Sequence, residues 1–160
     1  DIQRVERRRR QRGRRDRASP SRNTAKSRVV KSGSGLVVDP QKAAPRQEWL
    51  ASVAEDIAMM RQQGTSVTVV SSGAIAMARH SLGMTDGVLR LAEKHAAAAV
   101  GQIRLAQAWS NALSAQNLTA AQLLLTPEDT EDRRRYPHDR VTRQTLLELG
   151  YVPVINACLL

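Results

Sequence analysis

Two hydrophobic patterns alternate along the chain. Short unbroken runs of β-branched residues give way to longer stretches in which apolar residues return every three or four positions. The clearest case is Ser66 to Leu82, SVTVVSSGAIAMARHSL. Val67, Val69 and Val70 with Thr68 have the composition of a strand buried on both faces. Ser71, Ser72 and Gly73 turn it, and Ala74 to Ala78 then predict a helix that Gly83 can close. Upstream, Val29 and Val30 start a strand that Lys31 ends. Ser32-Gly33-Ser34-Gly35 follow as a turn, and Leu36, Val37 and Val38 are apolar again. Pro40 and Pro45 bracket a loop. From Arg46 to Gln63, Trp49, Val53, Ile57 and Met60 recur at helical spacing, with Glu48, Glu55, Asp56 and Arg61 elsewhere. This predicts an amphipathic helix stopped by Gly64. It assigns Trp49 and the Met59-Met60 pair to the core.

Residues 84–89 read as loop. Leu91 to Ala115 predict one long helix or two, with Val100, Ile103, Ala106, Trp109 and Leu113 on the apolar stripe and Ala96–Ala99 allowing close packing. Gly101 inside it costs about 1 kcal/mol against alanine, which predicts a tight contact or a bend. Leu118 to Leu125 hold a strand, and Thr126 to Arg135 are polar. Asp139 to Leu149 predict a short helix with Val141, Thr145, Leu146 and Leu149 inward. Tyr151 to Asn156 predict a closing strand. Strands alternating with helices argue for an α/β fold with a mainly parallel sheet.

Composition changes this picture in two ways. With no Phe, two Trp and two Tyr, the core must be aliphatic. The net charge of +10 is also uneven: residues 1–28 hold twelve Lys and Arg against three acidic residues, leaving the rest nearly neutral. Residues 1–27 have almost no apolar content, which predicts a disordered extension ahead of a domain over 28–160. Such an arm could hold RNA, DNA or anionic lipid by charge, although no aromatic offers base stacking. The plainer reading is a non-functional extension. No apolar run approaches the roughly 18 residues of a membrane span. The single cysteine, Cys158, excludes an internal disulfide and fits a reducing compartment.

Candidate chemistry lies at the two small-residue turns. A strand turning through Ser-Ser-Gly into a helix presents backbone N–H groups suited to an anion, and Gly73 allows close approach. The alternative is an ordinary loop with Ser72 as helix cap. Lys31 beside the 32–35 turn can set an ammonium next to N–H groups, a way to hold phosphate, though the Walker A spacing is absent. A plain turn between strands is the alternative. His80, His95 and His138 lack metal-site spacing, so no metal ligands are assigned. Glu128, Asp129, Glu131 and Asp132 precede three arginines and read as a solvated face.

Five stretches together carry a resemblance: VVKSGSGLVV, VTVVSSGAIAMAR, EKHAAAAVGQIRLAQAW, AAQLLLTPEDTEDRRRY and GYVPVIN. In order and at natural spacing, from Arg28 to Asn156, they resemble the glutamate 5-kinases of the amino-acid kinase family. The resemblance implies a three-layer αβα sandwich and a cytoplasmic homo-oligomer that phosphorylates L-glutamate from ATP with Mg2+, toward proline. By motif it implies Lys31 at the transferring phosphoryl group and the backbone of Gly33 and Ser34 at the ATP phosphates. Ser72, Gly73 and Ala74, with Ser72 in contact, and Asn156 would bind glutamate.

The chain departs from that pattern. Ala157, Cys158, Leu159 and Leu160 stand where the family has an acidic stretch, Pro137 and His138 replace Leu-Asn, His95 replaces glutamine, and Ser32 replaces an apolar residue. These departures predict a truncated sandwich, an amino-terminal fragment without kinase-like turnover. The competing expectations are a basic-armed nucleic-acid-binding protein and a catalytically dead partner subunit.

Overall fold

The computed structural model describes residues 26–42, 44–79, 81–83, 87–124 and 136–156. Residues 1–25, His80, residues 125–135, the side chains of Pro137 and His138, and residues 157–160 with Cys158 lie outside that description. In chain order the elements are β1 (Ser27–Ser32), α1 (Ser34–Val37), β2 (Val38–Asp39), β3 (Ala44–Pro45), α2 (Gln47–Gln62) and β4 (Ser66–Ser71). After them come α3 (Ala74–Arg79), α4 (Leu91–Ser114), β5 (Ala120–Leu123), α5 (Tyr136–Glu148) and β6 (Val152–Asn156). β1 thus starts one residue inside the segment read as the extension, and runs one residue past Lys31.

Four strands form a parallel sheet in the order β1-β4-β6-β5, while β2 and β3 make a small antiparallel hairpin. β4 is interior, as its β-branched run requires: Val67, Thr68, Val69 and Ser71 are all buried. The connections β1 to β4 and β4 to β5 advance across the sheet, whereas β5 to β6 steps back. Right-handed crossovers then put α2 and α4 on one face and α5 on the other, giving three layers. On the first face Val67, Val69, Val152 and Val154 pack with Leu50, Ile57, Trp109 and Leu113. Trp49 meets Trp109 edge-on, centroids 6.3 Å apart at 75°.

Pro153 is tolerated inside the sheet for a reason of parity. The Val152 N–H donates to Thr119 O at 2.9 Å, toward β5. Alternation turns the next amide position toward β4. Proline has no N–H there, and pairing with β4 starts one residue later, with Val154 opposite Val69.

Several helix faces differ from expectation. The segment from Leu91 is one helix, and its buried residues are Ala97, Ala98, Gly101, Leu105, Trp109 and Leu113. Val100 is exposed, and Ile103 is 71% exposed. The inward stripe is rotated because small residues, not the bulkiest ones, let α4 approach α3. Among the described side chains 140–149, on α5 and just after it, the buried one is Leu147, while Val141, Thr145 and Leu149 are exposed. Three leucines at 146, 147 and 149 fit more than one helical face, and the sheet selects among them. Met59 is exposed, leaving Met60 alone of that pair against the core. Of the seven described residues in the stretch expected to be strand, 118–124, four form β5.

Two predictions come from this architecture. The buried Thr68 Oγ1 has no hydrogen-bond partner among the described residues. Removing an orphaned hydroxyl while keeping shape removes its desolvation cost, so Thr68→Val should stabilise the fold by about 1 kcal/mol, read by denaturant unfolding. At the start of α4, Glu93 accepts the Arg90 backbone N–H at 2.7 Å. That bond, with the Arg90 guanidinium, holds the carboxyl below its ordinary value. The ionised form therefore supports the helix start at neutral pH, and the support is lost as pH falls through the folded-state pKa. Backbone chemical shifts of residues 91–94 should show this acid step, and Glu93→Gln should remove it.

Candidate active site at the carboxyl edge of the sheet

The sheet brings the two small-residue turns to one edge. Ser32 pairs with Ser71, and Ser71 with Asn156, so the last residues of β1, β4 and β6 form one row. In a parallel sheet, residues in register share a face. The row therefore continues the face of Val30, Val69 and Val154, toward α2 and α4. All three side chains are buried. Open parallel sheets bind ligands just beyond such an edge.

Ser71 is the node of this row. Its Oγ accepts from the Trp109 indole N–H at 3.0 Å and from the Ser32 hydroxyl at 3.1 Å, and donates to Ser72 O at 3.4 Å. The Ser72 N–H donates to Ser32 O at 3.0 Å. This network was not legible in advance, since its partners lie 38 and 39 residues apart. The one available signal was chemical: a buried tryptophan usually finds a partner for its N–H.

Beyond the row, Gly73 has φ +125°, a conformation that side chains rarely adopt. A Cβ there would lie 3.0 Å from Val38 Cγ2 and 3.6 Å from Ser34 Cα. The 72–74 and 33–35 turns are thus in contact. Gly73, not Ser72, occupies the position before α3, and Met77 N bonds to Gly73 O at 2.9 Å. α3 has six residues, so its end contributes little dipole and the serine-cap reading does not hold. On the other side Ser34–Val37 form one helical turn rather than a plain loop. Gly33 has ordinary extended dihedrals. It and Gly35 would place a Cβ in open space, leaving their backbone approachable.

Lys31 stands one residue back from the row and is exposed. It is in register with Val70, and Val70 with Ile155, so its side chain leaves on the α5 face. Ser32, Ser71 and Asn156 leave on the other. At this edge the exposed Lys31 cation and the buried Ser32, Ser71 and Asn156 side chains therefore lie on opposite faces of the sheet.

α4 backs the site. A Cβ on Gly101 would collide with the Ala74 carbonyl, so the glycine is there for a close backbone approach. Arg104 Nη1 donates to Met77 O at 2.8 Å. A groove of about 620 Å3 opens elsewhere, between α2 and α4, lined by Pro45, Leu50, Ala51, Ile103 and Ala112 among others. Its polar groups are Gln47, Arg104, Gln107 and Asn111, with no carboxylate or nucleophile. Chemistry therefore favours the sheet edge. No group of three His, Cys, Asp or Glu that could hold a metal ion occurs among the described residues, and no described helix is long and apolar enough to cross a membrane.

Comparison with known proteins bears on the family and the fold. The profile described as Amino acid kinase family matches residues 26–159. A glutamate 5-kinase of Gluconobacter oxydans is 58% identical over 139 residues, which is 87% of this chain and 37% of that protein. One from Ruegeria sp. is 52% identical over 134 residues, covering 84% of this chain and 36% of its own. The chain thus spans little more than a third of the length of these curated relatives. Among solved structures, UMP kinase from Bacillus anthracis aligns with TM-score 0.58 and 19% identity, over 81% of this chain and 52% of that one. Isopentenyl phosphate kinase from T. acidophilum aligns with TM-score 0.52 and 13% identity, over 79% and 53%. At these identities the two structures show the shared fold.

The Gly101 contact yields a prediction. Glycine to alanine inside a helix ordinarily gains about 1 kcal/mol. Here the added methyl meets backbone that cannot rotate away, so Gly101→Ala should destabilise by about 2 kcal/mol instead. A lowered denaturant midpoint with an unchanged slope is the measurement.

Proposed function

The chain belongs to the amino acid kinase family, and on that premise we propose that it provides the acceptor-binding part of a glutamate 5-kinase. The carrying observation is the contact between the two turns, Gly73 against Ser34, above the row Ser32-Ser71-Asn156. That contact supports placing acceptor and phosphoryl donor side by side, as in-line transfer needs.

In this reading Ser72, the backbone of Gly73 and Ala74, and Asn156 hold L-glutamate. The exposed backbone at Gly33 and Ser34 lies against the phosphates of ATP. Lys31 neutralises charge on the transferring phosphoryl group. The side-chain carboxylate oxygen of glutamate attacks the γ-phosphorus; a new O–P bond forms as the bond to the bridging oxygen breaks and ADP leaves. ATP, which a kinase uses with Mg2+, supplies the phosphoryl group. The described residues hold no group of three His, Cys, Asp or Glu fitted to that ion. Partners in this reading are L-glutamate, ATP and further copies of the chain.

Glutamate binding is the direct test of an acceptor site. Calorimetric titration of the full chain should show saturable binding of L-glutamate. Ser72→Ala should weaken it about tenfold by removing a hydrogen bond to a charged group. Lys31→Ala should leave it within about twofold while lowering any glutamate-dependent ADP release by two to three orders of magnitude, the usual loss for such a group. A wild-type chain that binds no glutamate at millimolar concentration would sink the reading.

A further inference from the structure

Three contacts tie α4 to the end of β4 and to the short helix that follows the 72–74 turn. Gly101 lies against Ala74 O, Arg104 holds Met77 O, and the Trp109 indole reaches Ser71 Oγ. The first is steric and the second grips the far end of α3. The third acts on the row itself. We propose that Trp109 is a positioning residue: through Ser71 it fixes the Ser72–Ala74 turn in the conformation that receives the acceptor. The word acceptor rests on the glutamate reading above.

The reasoning is an inventory of one hydroxyl. A serine oxygen has two lone pairs and one hydrogen. Both lone pairs of Ser71 are used, by the indole N–H at 3.0 Å and the Ser32 hydroxyl at 3.1 Å. Its hydrogen is left a single direction, toward Ser72 O at 3.4 Å. Ser71 therefore has nothing left for a ligand, and its role is to hold its neighbour. Ser72 is held at both backbone groups, its N–H by Ser32 O and its carbonyl by Ser71. The next residue is Gly73, at φ +125°. With no side chain to resist rotation, the Ser72–Gly73 peptide is the soft point of the turn, and the bond to Ser72 O restrains it. Without the indole N–H the Ser71 hydroxyl can turn toward Ser32, releasing that carbonyl. A phenylalanine at 109 would fill much of the same apolar volume; what tryptophan adds is the donor.

Amide exchange on the full chain tests this without any ligand. The reporters are the Ser72 and Met77 amides, which bond to Ser32 O and Gly73 O on either side of the turn. In Trp109→Phe both should exchange about tenfold faster, the opening expected when a buried hydrogen bond is lost, while Val67 and Val69 in β4 stay protected. Ser71→Ala should do the same. The double variant should add nothing further, because the two groups act as one unit. Unchanged exchange at Ser72 and Met77 in a folded Trp109→Phe overturns the proposal. If Trp109→Phe loses protection throughout β4, Ser71→Ala decides alone, and unchanged exchange there overturns it equally. Glutamate titration separates the two readings. A wild-type chain that fails to bind glutamate counts against the proposed function, whereas wild-type binding matched by Trp109→Phe counts against Trp109. A five- to tenfold weaker dissociation constant in Trp109→Phe, reversed in no part by raising nucleotide, supports it.

Discussion

One backbone contact sets most of what surrounds the edge: α4 meets the start of α3 with nothing between them but the missing side chain of Gly101. Helices approach this closely only through small residues. The glycine and the alanines at 97 and 98 therefore turn inward, and bulkier Val100 and Ile103 are left outside. Once α4 is that close, Trp109, two turns further on, comes directly under the carboxyl end of β4. The indole reaches Ser71 because of where Gly101 sits.

The parts of the fold visible in the sequence were those decided locally. The β-branched run of β4, its break at Ser-Ser-Gly and the amphipathic pattern of α2 each carry their own signal, and the βα alternation implied the parallel sheet. The parts that were not visible depend on partners far along the chain. Hydrophobic bulk placed Trp109 and Leu113 of α4 correctly but misplaced Val100 and Ile103, since burial in the first half of the helix was won by closeness rather than area. The leucines of α5 could not choose a face without the sheet. For the site, both turns were legible as small-residue breaks, and the resemblance joined them. That Lys31 and Ser32 leave on opposite faces follows from strand parity, which a turn reading of residues 32–35 conceals because it ends the strand one residue early.

The family relation and the physical reading bear on different things. Identity of 58% to a glutamate 5-kinase over 139 residues speaks to ancestry. It does not explain why a serine stands at 32 or what Ser71 does. Those follow from burial and hydrogen-bond capacity: two hydroxyls and an indole, all shielded from water, satisfy one another. Ser32, which the family pattern would fill with an apolar group, is accommodated because a neighbour can accept its proton.

Pro153 has a mechanical consequence. β1 and β4 are in register over six positions, β5 and β6 over four, but β4 and β6 over three, because pairing cannot start before Val154. The sheet is therefore stitched least firmly along its middle, between a panel of β1 and β4 and a panel of β5 and β6. α4 spans that seam from one side. The last stitch of the seam is Ser71 beside Asn156, at the row where the turns meet. A load that pries the panels apart would be carried there by a single pair of residues and by the helix laid across them like a splint.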